Sequence, residues 1–427
     1  MFHPAIPRLP FLAWRLILWL AALFWVAYLV SSLWPHRPPN EAYRYFSPDF
    51  LQRAETYHRA RRLAFAVDTL LGFALLAALA GTRAGAALDG WTRRVLGVGV
   101  SAGWGTWAPP GAGLRVWLAA ALYVVILMLL QRLVSLPAAW YSGYCLEHRY
   151  GFSHQTLPAW GADVALSFVL NLALIVPASL AVLALIARWP GGWWAPAAAM
   201  GIAVAAALIY LSPVIIDPLF YKFTPLPAGE LRSELLAMAD RAGIKVDEIL
   251  VMNASVRTSK VNAYFTGLGG TRRIVLYDNL LKGYGREQVA AIVAHEMGHW
   301  RHAHVLKGFL FGALGIALGL FLLHWLLPGE QPVRGPRPAL LPLLLLGLAL
   351  LSFVSSPAQN GLSRSFERQA DREVLRLLGA GPSYAQVQVR LARENLAQVS
   401  PPAFIYWFSY THPSDLERIK AAEQRRP

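Results

Sequence analysis

Long apolar runs alternate with polar, arginine-rich connectors along most of this chain. Seven of the runs can each cross the roughly 30 Å of hydrocarbon in a bilayer: Leu16–Trp34, Leu63–Ala80, Val116–Val134, Val164–Ala187, Trp193–Ile216, Val305–Leu327 and Ala339–Pro357. Trp34, Trp117, Trp189, Trp193 and Trp325 lie near run ends, where indole rings anchor at the membrane–water boundary. The first run has Arg8 and Arg15 ahead of it, as a signal peptide would. It is too long, and too much further membrane sequence follows, for it to be only a cleaved leader.

Between the fifth and sixth runs, Asp217 to His304 is polar enough to fold in water. Pro225 to Pro227 reads as a turn, and Ala228 to Gly243 as an amphipathic helix with Leu231, Leu235, Leu236 and Met238 on one side. Ile249–Met252, Asn262–Thr266 and Arg273–Tyr277 read as short strands, the last two joined by Gly267-Leu268-Gly269-Gly270. From Arg286 to His304 the period changes: Val289, Ile292, Val293, Glu296, His299 and Trp300 recur at three and four, which predicts a helix. The expected division is residues 1–216 (five membrane helices), 217–304 (an aqueous module with a small sheet), 305–358 (two further membrane helices) and 359–427 (a helical C-terminal segment). The fold class is thus a predominantly α-helical polytopic membrane protein with seven transmembrane helices and a small α+β domain.

Composition agrees. Hydrophobic residues make up 56% and charged ones 15% of 427 residues, and the mean hydropathy is +0.41, which excludes an ordinary soluble enzyme. The net charge of +15 is spread over loops and tail with no aromatic–basic motif, so it reads as orientation and contact with anionic membrane lipids, not as a nucleic-acid surface. Six Arg lie between Pro35 and Arg62, three between Gly81 and Leu114 and two between Pro328 and Arg337. The positive-inside rule therefore places the first loop, the Asp217–His304 module and the C-terminus in the cytoplasm. The 33 Arg against 6 Lys point to a GC-rich genome and so to a bacterial or archaeal cytoplasmic membrane, an ER-type membrane being the eukaryotic equivalent. Asp68 falls inside the second run. Such a charge is functional by default, but the reading favoured here is a pair with a nearby Arg at the membrane surface.

The chemistry concentrates in His295-Glu296-Met297-Gly298-His299. On a helix, residues four apart share a face, so both imidazoles can reach one ion, while Glu296 flanks that face and can address a water instead of the metal. A catalytic zinc takes three protein ligands and leaves one position for water, so a further donor is required downstream. Glu367 is the candidate, with Asp371 four residues on and able to accept the free N–H of a ligating histidine. The competing reading places both carboxylates on a solvated face, paired with Arg364, Arg368 and Arg372. The lone Cys145 removes thiolate zinc sites and intrachain disulfides. His302 and His304 follow the motif too closely to share its ligand face and read as polar neighbours. His412, in a turn-prone segment, is by its own residues as consistent with a surface loop as with catalysis. The Asn262-Ala263-Tyr264 strand is a candidate edge for an extended substrate, against the alternative of a plain packed hairpin.

With these residues assembled, the chain resembles the integral-membrane type I CAAX prenyl proteases over nearly its whole length. The resemblance is carried by the two zinc motifs, Leu136-Pro137 through Glu147, Gly151-Phe152 to Gln155-Thr156, Pro218 to Phe223, Asn262 to Gly267, Arg273 to Asp278, and His412-Pro413-Ser414 with Arg418-Ile419. It implies one Zn²⁺ per chain held by His295, His299 and Glu367, with Glu296 as general base and Asp371 orienting a ligating histidine. It further implies His412 as an oxyanion stabiliser and Arg418 near the scissile bond, with Asn262 to Tyr264 holding substrate backbone. Arg364 is placed with these as a substrate contact. The membrane helices are expected to enclose a chamber.

The function expected is an integral-membrane zinc metalloendopeptidase that hydrolyses peptide bonds with a metal-activated water, acting as a monomer on a peptide or protein, lipidated at its C-terminus in the family's namesake reaction. One alternative is a membrane quality-control metallopeptidase without lipid preference. Another is a zinc-dependent channel or transporter, which would have no use for a glutamate placed to activate water.

Overall fold

A computed structural model describes residues 8–99, 113–246, 248–267, 272–327, 336–379 and 381–424. The first half is helical: α1 (Arg8–Leu33), α2 (Pro48–Gly81), α3 (Arg83–Val95), α4 (Gly113–Trp140), α5 (Leu146–Arg149), α6 (Leu157–Arg188), α7 (Trp194–Leu211) and α8 (Asp217–Phe220). A small α/β portion follows with β1 (Phe223–Pro225), α9 (Glu230–Arg241), β2 (Glu248–Met252), β3 (Ala263–Thr266), β4 (Arg273–Tyr277), α10 (Asp278–Gly283) and α11 (Arg286–Arg301). The chain then returns to long helices, α12 (His304–Leu326) and α13 (Leu341–Leu378), and ends in α14 (Gly381–Glu394), α15 (Ala403–Ser409) and α16 (Asp415–Gln424).

Among the described residues seven helices are long and apolar enough to span a membrane, one for each expected run. The start of α2 shows the local cause of such an element: Ser47 accepts the Phe50 N–H and Pro48 occupies the first turn, where its missing donor costs nothing. Large apolar side chains such as Leu310, Phe311, Leu314 and Leu318 on α12 are exposed, as lipid-facing positions must be. Several helices are longer than a bilayer is thick. The 38 residues of α13 extend roughly 57 Å at 1.5 Å per residue, so the helix outruns the hydrocarbon and delivers its last turns to the aqueous portion.

That overhang joins two cores. One packs Tyr123 and Leu127 of α4 and Leu183 of α6 against Leu323 of α12 and Leu350 and Phe353 of α13. The other packs Ile274 and Leu276 of β4 against Val293 and Met297 of α11, Val374 of α13 and Ile419 of α16. The sheet has strand order β1-β2-β4-β3, with β2 and β4 parallel and both outer strands antiparallel to their neighbours. β3 is therefore an edge.

Two local expectations change. The motif helix predicted to reach His304 stops at Arg301, because Ala303 adopts a left-handed conformation (φ 52°) and His304 opens α12. A separate membrane span must leave here in a new direction, and one residue at positive φ makes the break. The turn expected at Pro225 is preceded by β1, which pairs Phe223 with Met252; three residues with a terminal proline carry too little alternation to be read as a strand. Leu268, Gly269 and Gly270 of the expected connector lie outside the described residues.

Candidate metal centre

α11 and α13 cross at Gly298. A Cβ there would come within 2.8 Å of the Ala370 Cα and 3.0 Å of its carbonyl oxygen, so only glycine permits this approach. The contact sets His295 and His299 of α11 against Glu367 of α13. His295 Nε2 lies 3.2 Å from Glu367 Oε2, and His299 Nε2 lies 3.4 Å from Oε1. The two Nε2 atoms are 3.2 Å apart. As a prediction, Gly298→Val should push the helices apart and sharply weaken metal binding while secondary structure persists; unchanged metal affinity in a folded variant would show that the close approach is dispensable.

Each of the three side chains offers one donor atom, and the three atoms lie within 4.8 Å of one another. The convergence fits a cation. Glu367 is buried, and its Oε2 has no hydrogen-bond partner despite its proximity to His295; an orphaned buried carboxylate oxygen facing two imidazoles is stable only with positive charge between them. Burial by itself would lower the His295 imidazole, but before a metal binds the adjoining Asp371 and Glu367 carboxylates raise it, and a bound cation would take the place of that proton. This corner of the protein attracts positive charge strongly.

Behind the histidines lies a supporting layer. Asp371 Oδ1 is 3.0 Å from His295 Nδ1, which fixes that nitrogen as the N–H and leaves Nε2 a lone pair. Asp371 is held in turn by Arg418, at 2.6 and 3.0 Å, and by the Tyr384 hydroxyl, which donates at 2.7 Å. Burial would lower the Arg418 guanidinium, but Asp371 overrides this and keeps it charged. His304 Nδ1 approaches His299 Nδ1 at 3.1 Å, a contact made by the turn at Ala303, and its ring stacks on Phe366 at 4.4 Å.

Glu296 points toward β3. Burial holds its carboxylate above the usual range, against the pull of His295 and His299, and it accepts a hydrogen bond from the Phe265 backbone. The edge strand and the motif helix are thus directly joined. Of the expected substrate edge, Asn262 is exposed, Tyr264 half-buried and Ala263 buried.

His412 Nε2 lies 3.3 Å from Glu367 Oε1, so the structure brings it to the centre from the far end of the chain. The His412 side chain is 55% exposed, and crowding by the surrounding groups lowers its imidazole in spite of that carboxylate. Arg418 sits one layer back, bonded to Asp371. Arg364, expected at the substrate, instead donates to the Tyr406 carbonyl at 3.0 Å and to the Tyr410 carbonyl, and covers the Tyr406 ring. It thereby closes the end of α15 and steadies the segment leading to His412. Tyr384 and the part played by His304 are not legible in the sequence: Tyr384 belongs to α14 and shares no spacing with either motif.

Residues 17–222 match the family described as CAAX prenyl protease N-terminal, five membrane helices, and residues 225–426 match peptidase family M48. The uncharacterized metalloprotease YhfN of Bacillus subtilis is 36% identical over 71% of this chain and 72% of its own length. The chain belongs to peptidase family M48. CAAX prenyl protease 1 of Saccharomyces cerevisiae is 30% identical over 70% of this M48 chain and 71% of its own length. In fold, the crystal structure of S. mikatae Ste24p superposes with a TM-score of 0.75 at 23% identity, covering 98% of this chain and 100% of that one. The M48 protein is an integral, multi-pass membrane metalloprotease that acts on peptides or proteins through a bound metal.

Proposed function

We propose that the M48 chain is a zinc endopeptidase whose centre is His295, His299 and Glu367, with Glu296 as the general base. The convergence of those three donors beside a fourth, non-ligating carboxylate carries this reading. Two imidazoles and one carboxylate form a donor set that suits zinc and leaves a position open. When bound, the metal supplies Lewis-acid polarisation of the scissile carbonyl and of a nearby water.

The chain's own groups do the rest. Glu296 accepts the proton of the attacking water and returns it to the leaving amine, for which a half-buried carboxylate with raised proton affinity is suited. Asp371 presents the His295 lone pair in the required direction, and His304 does the same for His299. His412, reachable from solvent and 3.3 Å from Glu367, donates an N–H to the developing oxyanion. The substrate lies extended along the outer edge of β3 at Asn262 to Tyr264, where Glu296 already bonds Phe265. Residues 217–304 form the cytoplasmic-side peptidase module, and the surrounding segments the membrane body of a monomer, in contact with anionic lipids of a bacterial cytoplasmic membrane.

Relatives named CAAX prenyl proteases suggest a lipidated C-terminal substrate. A quality-control role without lipid preference is the second reading: the cavity beside the site sets Arg61, Arg62, Asp68 and Arg132 among Phe65, Ile405 and Phe408, a mixed lining that accommodates bare polypeptide as well as an apolar appendage. Purified protein stripped by a chelator and reloaded with zinc should lose and regain hydrolysis of a quenched peptide. Within that assay a farnesylated peptide and its unmodified twin separate the two roles, equal kcat/KM values indicating no lipid recognition. Hydrolysis that persists after complete metal removal would overturn the zinc reading.

A further inference from the structure

The backbone of β3 faces two ways in alternation. The Asn262 carbonyl accepts the Tyr277 N–H at 3.1 Å, and Tyr264 and Thr266 stand opposite Val275 and Arg273 of β4. Hydrogen-bonded pairs recur at every second residue of an antiparallel ladder, so Val261, Ala263 and Phe265 turn their N–H and carbonyl groups outward, to the edge offered to a substrate. The bond from Phe265 to Glu296 lies on that side. Upstream of the strand the same alternation continues. On the inner side Asn279 Nδ2 donates to the Thr258 and Lys260 carbonyls at 2.6 and 3.2 Å. On the outer side the Ser259 N–H donates to the Phe152 carbonyl at 3.1 Å, and the Arg257 carbonyl accepts the His154 N–H at 3.0 Å. Ser153 and Thr258 form an antiparallel bridge there, so the chain's own Gly151–His154 segment already covers this stretch of edge.

Between that bridge and the open edge stands Asn395, the first residue beyond α14. Its Oδ1 accepts the Val261 N–H and its Nδ2 donates to the Val261 carbonyl, both at 3.1 Å. One side-chain amide thus makes both bonds that a paired strand residue would make. The turn that presents it is strained, because Leu396 has a left-handed backbone (φ 48°). Burial of Leu396 against Tyr57 and Phe152 holds it there, and His58 Nε2 meets the Leu396 carbonyl at 3.0 Å. The strand side is anchored as firmly: Arg257 makes two bonds of 2.9 Å to Asp163, and Lys260 lies 2.6 Å from Glu147. A peptide cannot displace this closure without breaking ion pairs. The Ala263 N–H is taken by the Asn262 side chain at 3.0 Å, which leaves the Ala263 and Phe265 carbonyls to receive peptide N–H groups.

We propose that Asn395 is a specificity-determining residue that ends the substrate edge at Val261: a peptide laid along β3 pairs as far as Ala263 and must stop or turn outward there. The length of peptide held in line on that side is then set by one side-chain amide. This rests on the peptidase reading above, with β3 as its binding edge.

Peptides of graded length test it. Zinc-loaded Glu296→Gln protein, which leaves them uncut, is titrated into fluorescein-labelled peptides lengthened by one alanine at a time at either end. With Asn395 in place, affinity should reach a plateau at one end once the peptide arrives at Val261. Affinity that goes on rising at both ends overturns the proposal, a result that needs no Asn395 variant to fold. Adding Asn395→Ala frees the Val261 N–H and carbonyl for one more rung. At that same end, and only there, two further residues should then tighten binding about 2–10-fold, the range of one net hydrogen bond. Asn395→Asp still accepts the Val261 N–H but cannot donate to its carbonyl, so its gain should be smaller. An equal loss for peptides of every length makes Asn395 a structural support only and overturns the proposal, as does an unchanged length profile. Zinc-dependent hydrolysis by the unsubstituted protein together with an unchanged profile in Asn395→Ala refutes the edge closure alone. The length-dependent gain without zinc-dependent hydrolysis refutes the peptidase reading alone.

Discussion

Glu296→Gln should leave metal content unchanged and lower kcat by two or more orders of magnitude, the usual contribution of a positioned general base. The amide has the shape of the carboxylate and can still accept the Phe265 N–H, so the β3 edge and the motif helix stay joined. It cannot accept a proton from water at neutral pH. Glu296 contributes no atom to the cluster of His295, His299 and Glu367, which is why binding and turnover should separate. Metal analysis beside steady-state kinetics checks both halves. Near-normal turnover by the variant would remove Glu296 as the base.

Glu367→Ala should abolish metal binding in the useful concentration range, and activity with it. Glu367 is the one anionic member of the cluster, lying 3.2 Å from His295, 3.4 Å from His299 and 3.3 Å from His412. Without it two neutral imidazoles remain on a single helix, with nothing from α13 to close the site. The loss should exceed the 10–100-fold typical of removing a supporting partner such as Asp371. Zinc raises the Tm of a protein whose native state binds it, through mass action. That zinc-dependent rise should be present in the wild type and absent in Glu367→Ala. A variant that keeps the rise would place the third ligand elsewhere.

The arrangement of ligands differs in how readable its parts are. His295 and His299 are four apart on one helix, so periodicity alone puts their side chains together, and Glu296 follows by the same rule. Glu367 and Asp371 share a face for the same reason. Nothing in helical spacing says that the two faces meet. The meeting depends on Gly298, where the absent Cβ admits Ala370, and glycine in a helix could equally have marked a weak point or a cap. His304 shows the limit more sharply. As a continuation of α11 it would lie on another face from His299, and only the left-handed turn at Ala303 returns it to 3.1 Å. Arg364 lies three residues before Glu367, yet its donors go to the carbonyls at the end of α15, an element with no sequence relation to it.

By itself the sequence determined the seven spans, the small sheet before the motif helix and the metal-binding chemistry, because hydropathy and side-chain period act within one element and are complete before the chain folds. Tertiary structure decided which helix faces met, which arginines found a carboxylate, as Arg418 found Asp371, and that His412 reached Glu367. Those outcomes come from packing between segments far apart in the chain, where a single missing Cβ or one positive φ changes the neighbour a side chain finds.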